Sequence, residues 1–215
     1  HIGDVWDPER TDIVFIGGYR IDSVREAYPS FRFRHNADWE RNNILVSLMH
    51  AEPDMDGPFI CCYSDTLLTP EVITRAANGD GDIAVVVDTD WRQRYVGRTE
   101  HPTDDAEKVA VLNGAVTRIH RDMPDDAAHG EYVGVAKFST EGARALRSHY
   151  HLRRQEFAGK PFREAAVFEK AYLIHLFQDM IEAGQRLTHA DTHGGYMEID
   201  TQQDYDMARE HWKVT

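Results

Sequence analysis

Along this chain, short continuous apolar runs that end in Gly or Asp alternate with segments whose apolar residues recur at helical spacing. The run DIVFIGG (12–18) predicts a buried strand, turned by Gly17 and Gly18. IDSVREAYP (21–29) predicts a short helix closed by Pro29, and the strict alternation of FRFRHN (31–36) predicts an edge or half-buried strand. Residues 39–53 read as a helix with Ile44, Leu45, Leu48 and Met49 facing inward. GPFICCYSD (57–65) and GDIAVVVDTDW (81–91) predict further buried strands, separated by a helix over 67–78 with Pro70 in its first turn. A polar stretch, 92–109, leads to strand-like 109–120 and an acidic loop, 121–131. The pattern then predicts a strand over 132–139, a helix over 141–152 and a longer helix over 162–184 that stops at Gly184. A last pair of strands falls within 186–200, and a closing helix within 201–212 takes Thr201 as its N-cap.

Buried strands alternating with helices imply an α/β fold: a mostly parallel sheet with helices on both faces. The opening segment, 1–11, is polar, and no repeat, low-complexity tract or linker divides the chain. One domain over residues 1–215 is expected, with its soft points in the loops around 97–105 and 121–130. Hydrophobic residues make up 41% of the 215, enough for a sizeable core.

Charge narrows the function. The formal net charge of −13 opposes nonspecific binding to nucleic acid or to an anionic membrane. An anionic substrate would need a local basic pocket or a metal ion to neutralise it. No apolar run approaches a bilayer span and no signal peptide precedes the first strand, so a cytoplasmic protein is expected. Cys61 and Cys62, the only cysteines, are adjacent and poorly placed for a disulfide. They read as reduced thiols packed in a buried strand, which also argues against a thiolate zinc site.

Several acids fall at the carboxyl ends of predicted strands, where α/β sheets bind ligands. Asp65 closes one strand, Asp88 and Asp90 another, and Asp200 the last. Such carboxylates suit Mg²⁺, an oxygen-seeking cation, or they cap the helices that follow, and spacing leaves both open. Glu198 shares a strand face with Asp200, whereas Asp204 reads as a helix-face acid without chemical duty. Asp88-Thr89-Asp90 also fits the Asp-x-Asp pattern of nucleotide-sugar glycosyltransferases. In the polar stretch, Arg92, Arg94, Arg98 and Lys108 interleave with Trp91 and Tyr95, either as an anion pocket or as a solvated loop. The twelve histidines are scattered; His189 and His193 are four apart, but on a strand or loop that spacing does not converge, so they read as surface residues.

YSDTLLTPEVI, VVVDTDW, EYVGVAKFS and GGYMEIDTQQDYDMA, in this order, resemble the nucleotidyltransferases that activate sugars and small phosphorylated alcohols. The phosphocholine and phosphonate cytidylyltransferases are most similar, including the domain joined to phosphoenolpyruvate mutase in phosphonate antibiotic pathways. HNADWERNNILVSL is similar to that group's segment before the nucleotide site, and the resemblance spans residues 12–208. It implies a Rossmann-like, GT-A-like sheet and a Mg²⁺-dependent enzyme. CTP and a small phosphonate or phosphorylated alcohol would be its partners, with fusion to a phosphoenolpyruvate mutase domain among the arrangements it allows. The acceptor oxygen would attack the nucleotide's α-phosphorus and pyrophosphate would leave.

By matching position, Asp65 and Asp200 would hold Mg²⁺ and, with Lys108, carry catalysis. Asn43, Ser47 and Ser64 would meet the nucleotide, with Asn36 a further candidate for the base. Asp88, Tyr95, Arg98, Lys108, Glu131, Tyr132 and Glu198 would line the acceptor pocket, and Glu107 and Asp90 are further carboxylates for an amine. The family's opening strand and Gly-rich phosphate loop have no counterpart before Asp12, so the domain is expected to lack them. Met197 stands where choline enzymes commonly carry Trp, which weakens a trimethylammonium cage and favours 2-hydroxyethylphosphonate, with 2-aminoethylphosphonate and phosphocholine as alternatives. A glycosyltransferase using Asp88-Thr89-Asp90, or a degenerate domain that only binds nucleotide, are the other readings.

Overall fold

The computed structural model describes residues 11–100 and 103–212; residues 1–10 of the polar opening segment lie outside them. The first runs give β1 (Val14–Gly17) and β2 (Arg32–His35), a parallel pair joined through α1 (Ile21–Ala27). The predicted helix over 39–53 is shorter than its pattern. It comprises α2 (Ile44–Leu48) and a 3-10 turn, Met49–Asp54, because Pro53 lacks the N–H that would continue α-helical bonding. Asp54 ties this turn to β2 by accepting from Arg32 Nη1 and Arg34 Nε, each at 2.6 Å.

The main sheet is built on β8 (Gly130–Phe138), which pairs antiparallel with β3 (Phe59–Cys62), β5 (Ile83–Asp88) and β6 (Lys108–Leu112). Edge strand β9 (Thr188–Thr192) runs parallel to β5, and β7 (Ala115–His120) folds back on β6. Four strands, β3, β5, β6 and β9, therefore point one way, and β8 and β7 point the other. The 109–120 stretch is a hairpin, not one strand: Asn113 and Gly114 both take left-handed backbone, the signature of a tight turn. β5 is buried along its whole length, which explains its unbroken apolar run.

Helices α2, α4 (Thr140–Phe157) and α5 (Leu173–Glu182) cover one face over a core that includes Val85, Phe138, Leu146 and Phe177. Helix α3 (Pro70–Ala77) covers the other through Val72 and Ala76, against Val86 and Val135. The segment 162–184 is not one helix. Arg163 takes φ +51°, Phe162 and Ala165 bridge, and Phe168 buries its ring against Tyr150 and Phe162 before α5 begins. Its helical spacing reflects aromatic packing onto α4. Cys61 and Cys62 are free, and burial pushes their thiols up to about 12 and about 11, so they are packed rather than reactive.

Residues 67 and 68, read as the start of a helix, belong instead to β4 (Thr66–Leu68). Its partner is β10 (Tyr196–Glu198), followed by α6 (Gln202–His211). The predicted last pair of strands thus exists, but β9 joins the main sheet and β10 crosses to β4.

Candidate functional site

The short β4–β10 ladder places the acids. Thr66 stands opposite Glu198, and Ile199 N–H donates to Asp65 O at 2.9 Å, so Asp65 and Asp200 emerge together at the ladder's end. Loss of water first, and then Asp200, Glu131 and Asp65, push the Glu198 carboxyl up to about 8. Asp65 is raised in the same way, by desolvation and by Asp200. The three carboxylates repel one another through space and offer only oxygen donors, the kind Mg²⁺ takes, although their oxygens do not all lie within 4.8 Å of one another.

The chain beyond Asp200 is held by a buried cap. Asp204 Oδ2 accepts from Thr201 N–H at 3.0 Å and Thr201 Oγ1 at 2.9 Å, while Asp204 N–H donates back to Thr201 Oγ1 at 3.2 Å. Its Oδ1 takes Arg98 Nε at 2.7 Å, and both side chains are buried. Burial alone would raise Asp204; the Arg98 and Thr201 bonds hold it below the usual carboxylate range.

These acids open into a cleft of about 430 Å³ whose other walls come from β8, β7 and α2. Burial pushes the Glu107 carboxyl up to about 7, against the guanidinium of Arg121 at 3.3 Å and the hydroxyl of Tyr63 at 3.3 Å. Arg121 also lies 4.2 Å over the ring of Tyr172. Deeper, Glu131 accepts from Tyr95 Oη at 2.7 Å, from Tyr196 Oη at 3.0 Å and from Arg94. Arg94 in turn lies 3.7 Å over the Tyr196 ring. Gly134, at φ +74°, makes room: a Cβ there would sit 2.6 Å from the Tyr63 ring. Among the described lining residues, seven carboxylates face the single guanidinium of Arg121.

A second cleft, of about 570 Å³, lies between β1 and β3 and is lined by Asn43, Ser47, Ser64 and the two cysteines. The clefts share Asn43, Ile44 and Tyr63, and Ser64 lines one while Asp65 lines the other. The two clefts therefore adjoin at Asn43, Ile44 and Tyr63, next to Ser64 and Asp65.

The architecture has known counterparts. No family model matches the chain. The inositol-1-phosphate CTP transferase structure from T. maritima superposes with a TM-score of 0.64, covering 95% of this chain and 78% of its own at 20% identity. The CTP:phosphocholine cytidylyltransferase from Streptococcus pneumoniae superposes with a TM-score of 0.59, over 94% and 78%, at 18% identity. This chain has the nucleotidyltransferase fold. In sequence it is 22% identical to the CTP:phosphoglutamine cytidylyltransferase of Campylobacter jejuni over 206 residues, 91% of this chain and 80% of that one.

On this nucleotidyltransferase fold, Asp65, Glu131, Tyr132, Glu198 and Asp200 meet in one cleft, as the motifs implied. Other candidates sit elsewhere. Lys108 does not line the cleft: its ammonium donates to Arg121 O at 3.1 Å and pairs with Asp125 at 3.1 Å. Arg98 serves the Asp204 cap, so it is not an acceptor ligand, and Asp204 is buried and bonded rather than idle on a helix face. Tyr95 supports Glu131 from behind. Asp88 is fully buried, its Oδ1 taking Asp90 N–H at 2.9 Å and Gly194 N–H at 2.8 Å, so it shapes the turn instead of meeting substrate. That inward aim also disfavours an Asp-x-Asp metal site. Asn43 caps α2 through Ile44 N–H at 2.8 Å and also borders both clefts, and Asn36, buried in a reciprocal pair with Asn42, lines the second cleft.

Arg121, Tyr63 and Tyr172 were not legible as site residues. Arg121 and Tyr172 belong to no motif, Tyr63 opens YSDTLLTPEVI without being marked out by it, and Arg121 enters only because the β6–β7 hairpin returns its end to the cleft. Residues 92–95 supply Arg94 to the Glu131 network, although spacing alone did not separate it from Arg92, which is exposed and bonds Asp125 O.

Proposed function

We propose that the protein is a cytidylyltransferase that transfers CMP from CTP to a small phosphonate or phosphate monoester, releasing pyrophosphate. The observation that carries this reading is that Asp65, Glu198 and Asp200 line one cleft, which adjoins a second at Asn43, Ile44 and Tyr63. The similarity to three CTP-dependent transferases supports the nucleotide. In this reading the nucleotide occupies the β1–β3 cleft, near Ser47 and Ser64, and the acceptor occupies the acidic one. Asp65 and Asp200 would hold Mg²⁺, which when bound neutralises phosphate charge. The protein's own part is alignment: Arg121 meets the acceptor's anionic group, Tyr63 and Tyr172 shape the wall, and no side chain acts as nucleophile.

The lining also bears on the acceptor. Seven carboxylates around one arginine suit a zwitterion better than a hydroxyl compound, so 2-aminoethylphosphonate or a phosphorylated amino alcohol fits better than 2-hydroxyethylphosphonate. Arg121 and Arg94 already cover ring faces of Tyr172 and Tyr196, and no Trp stands at Met197, so the carboxylates rather than an aromatic cage would take the ammonium.

The direct test is pyrophosphate release with CTP, Mg²⁺ and an acceptor panel of 2-aminoethylphosphonate, phosphoethanolamine, phosphocholine and 2-hydroxyethylphosphonate. Turnover that needs both CTP and an acceptor is expected. Turnover only with sugar phosphates would redirect the acceptor assignment, and none with any acceptor would overturn the reading in favour of a binding domain.

A further inference from the structure

A second cluster of metal-ligating groups lies outside this site. His189 and Asp191 sit two residues apart on β9, so both project from the same face of the edge strand. His129 immediately precedes β8 and reaches the same point from across the sheet; its backbone is held by an N–H bond to Val109 O at 2.8 Å. His129 Nε2 lies 3.0 Å from each Asp191 oxygen, and His189 Nδ1 lies 2.7 Å from Asp191 Oδ1. One ligand atom from each residue lies within 4.8 Å of the other two. The four-residue spacing of His189 and His193 was not the signal. His193 turns away to Thr89, and the real partner of His189 comes from 60 residues upstream.

We infer that His129, His189 and Asp191 form a binding site for a divalent transition metal of the zinc type. Two imidazoles and one carboxylate are a borderline donor set that favours Zn²⁺, Co²⁺ or Ni²⁺ over Mg²⁺. Around a tetrahedral ion with bonds of about 2.0–2.1 Å, ligand atoms stand roughly 3.3 Å apart, so the present contacts need open by only a few tenths of an ångström. The strand pairing of β5 with β9 fixes two of the three ligands, and all three keep some solvent access for ion entry. Arg75, the nearby cation, donates to the Asp191 backbone carbonyl at 3.0 Å and leaves the carboxylate to the histidines. Burial would raise the Asp191 carboxyl, but the bonds from His189 and His129 bring it below its usual value, so it is ionised as a ligand must be. Three protein ligands leave coordination positions for water, and the bound ion would pin the chain entering β8 to the sheet's edge.

The alternative is a His–Asp–His ion-pair cluster with no metal. Calorimetry with Zn²⁺ at pH 7.5, in a buffer that does not chelate, separates the two. One equivalent should bind to the wild-type protein, and His129→Ala and Asp191→Asn should each weaken binding at least tenfold. His120→Ala, at the separate His120–Glu164–His175 cluster, should leave binding unchanged. Zn²⁺ should also raise the wild-type Tm but not that of Asp191→Asn. No Zn²⁺ binding, binding unchanged in both cluster variants, or binding lost with His120→Ala would overturn the assignment. None of these readouts depends on transferase activity.

Discussion

At the scale of single residues, carboxyls whose protonation burial has shifted dominate this protein. Glu198 and Glu107 are raised to about 8 and about 7. At these two groups the folded state keeps protons that the unfolded chain has lost, so their contribution falls as pH rises from roughly 4.5 to 8. His175, which burial lowers to about 4, opposes this up to about pH 6.5, so the decline is steepest above that. Thermal melts from pH 5 to 8 should show Tm declining, with the slope reduced in Glu198→Gln. At pH 8, Mg²⁺ should restore Tm in the wild type but not in Asp65→Asn or Asp200→Asn; equal restoration in all three would place the ion elsewhere. Those two Asn variants should also lose roughly 10²-fold or more in kcat while keeping wild-type circular dichroism. Gly134→Ala should disturb the acceptor wall, because a Cβ at φ +74° would press into the Tyr63 ring. A raised KM for the acceptor with an unchanged KM for CTP would report it.

At the scale of elements, the two-stranded ladder and helix α6 hold Asp65, Glu198 and Asp200 in register. Its N-terminal cap is also one half of a buried ion pair, so Asp204→Ala removes a cap and strands the Arg98 guanidinium at once. A loss of about 3–5 kcal/mol is expected, seen as a Tm drop of roughly 10 °C or more. Arg98→Ala/Asp204→Ala should cost less than the sum of the single variants, since the pair acts as a unit. Additive losses would show that the two side chains are independent. Most elements were legible from periodicity, and β5 was the clearest because burial on both faces leaves an unbroken apolar run. β4 was not, because three residues ahead of a proline carry too little pattern to tell strand from helix start. The segment 162–184 misled for the opposite reason: aromatic anchors fell at helical spacing without a helix.

At the scale of the whole molecule, a net charge of −13 coexists with a nucleotidyltransferase fold. Seven carboxylates line the acidic cleft, and under the proposed function that charge would serve recognition once a cation joined it. One charged hydrogen bond contributes about 1.5–3 kcal/mol, so kcat/KM for 2-aminoethylphosphonate should exceed that for 2-hydroxyethylphosphonate by roughly 10–100-fold. Glu107→Gln should narrow the gap, and equal rates with both acceptors would count against the zwitterion reading. The sequence by itself determined the α/β class, the run of strands and helices, and the acids at strand ends, because these follow from local burial and are written at periods of two and near four. Only the tertiary structure decided which acids meet, that Asp88, Arg98 and Lys108 serve the scaffold, and that Arg121 and His129 reach sites far from them in sequence. Those outcomes rest on strand pairing between distant segments, and no local spacing records it.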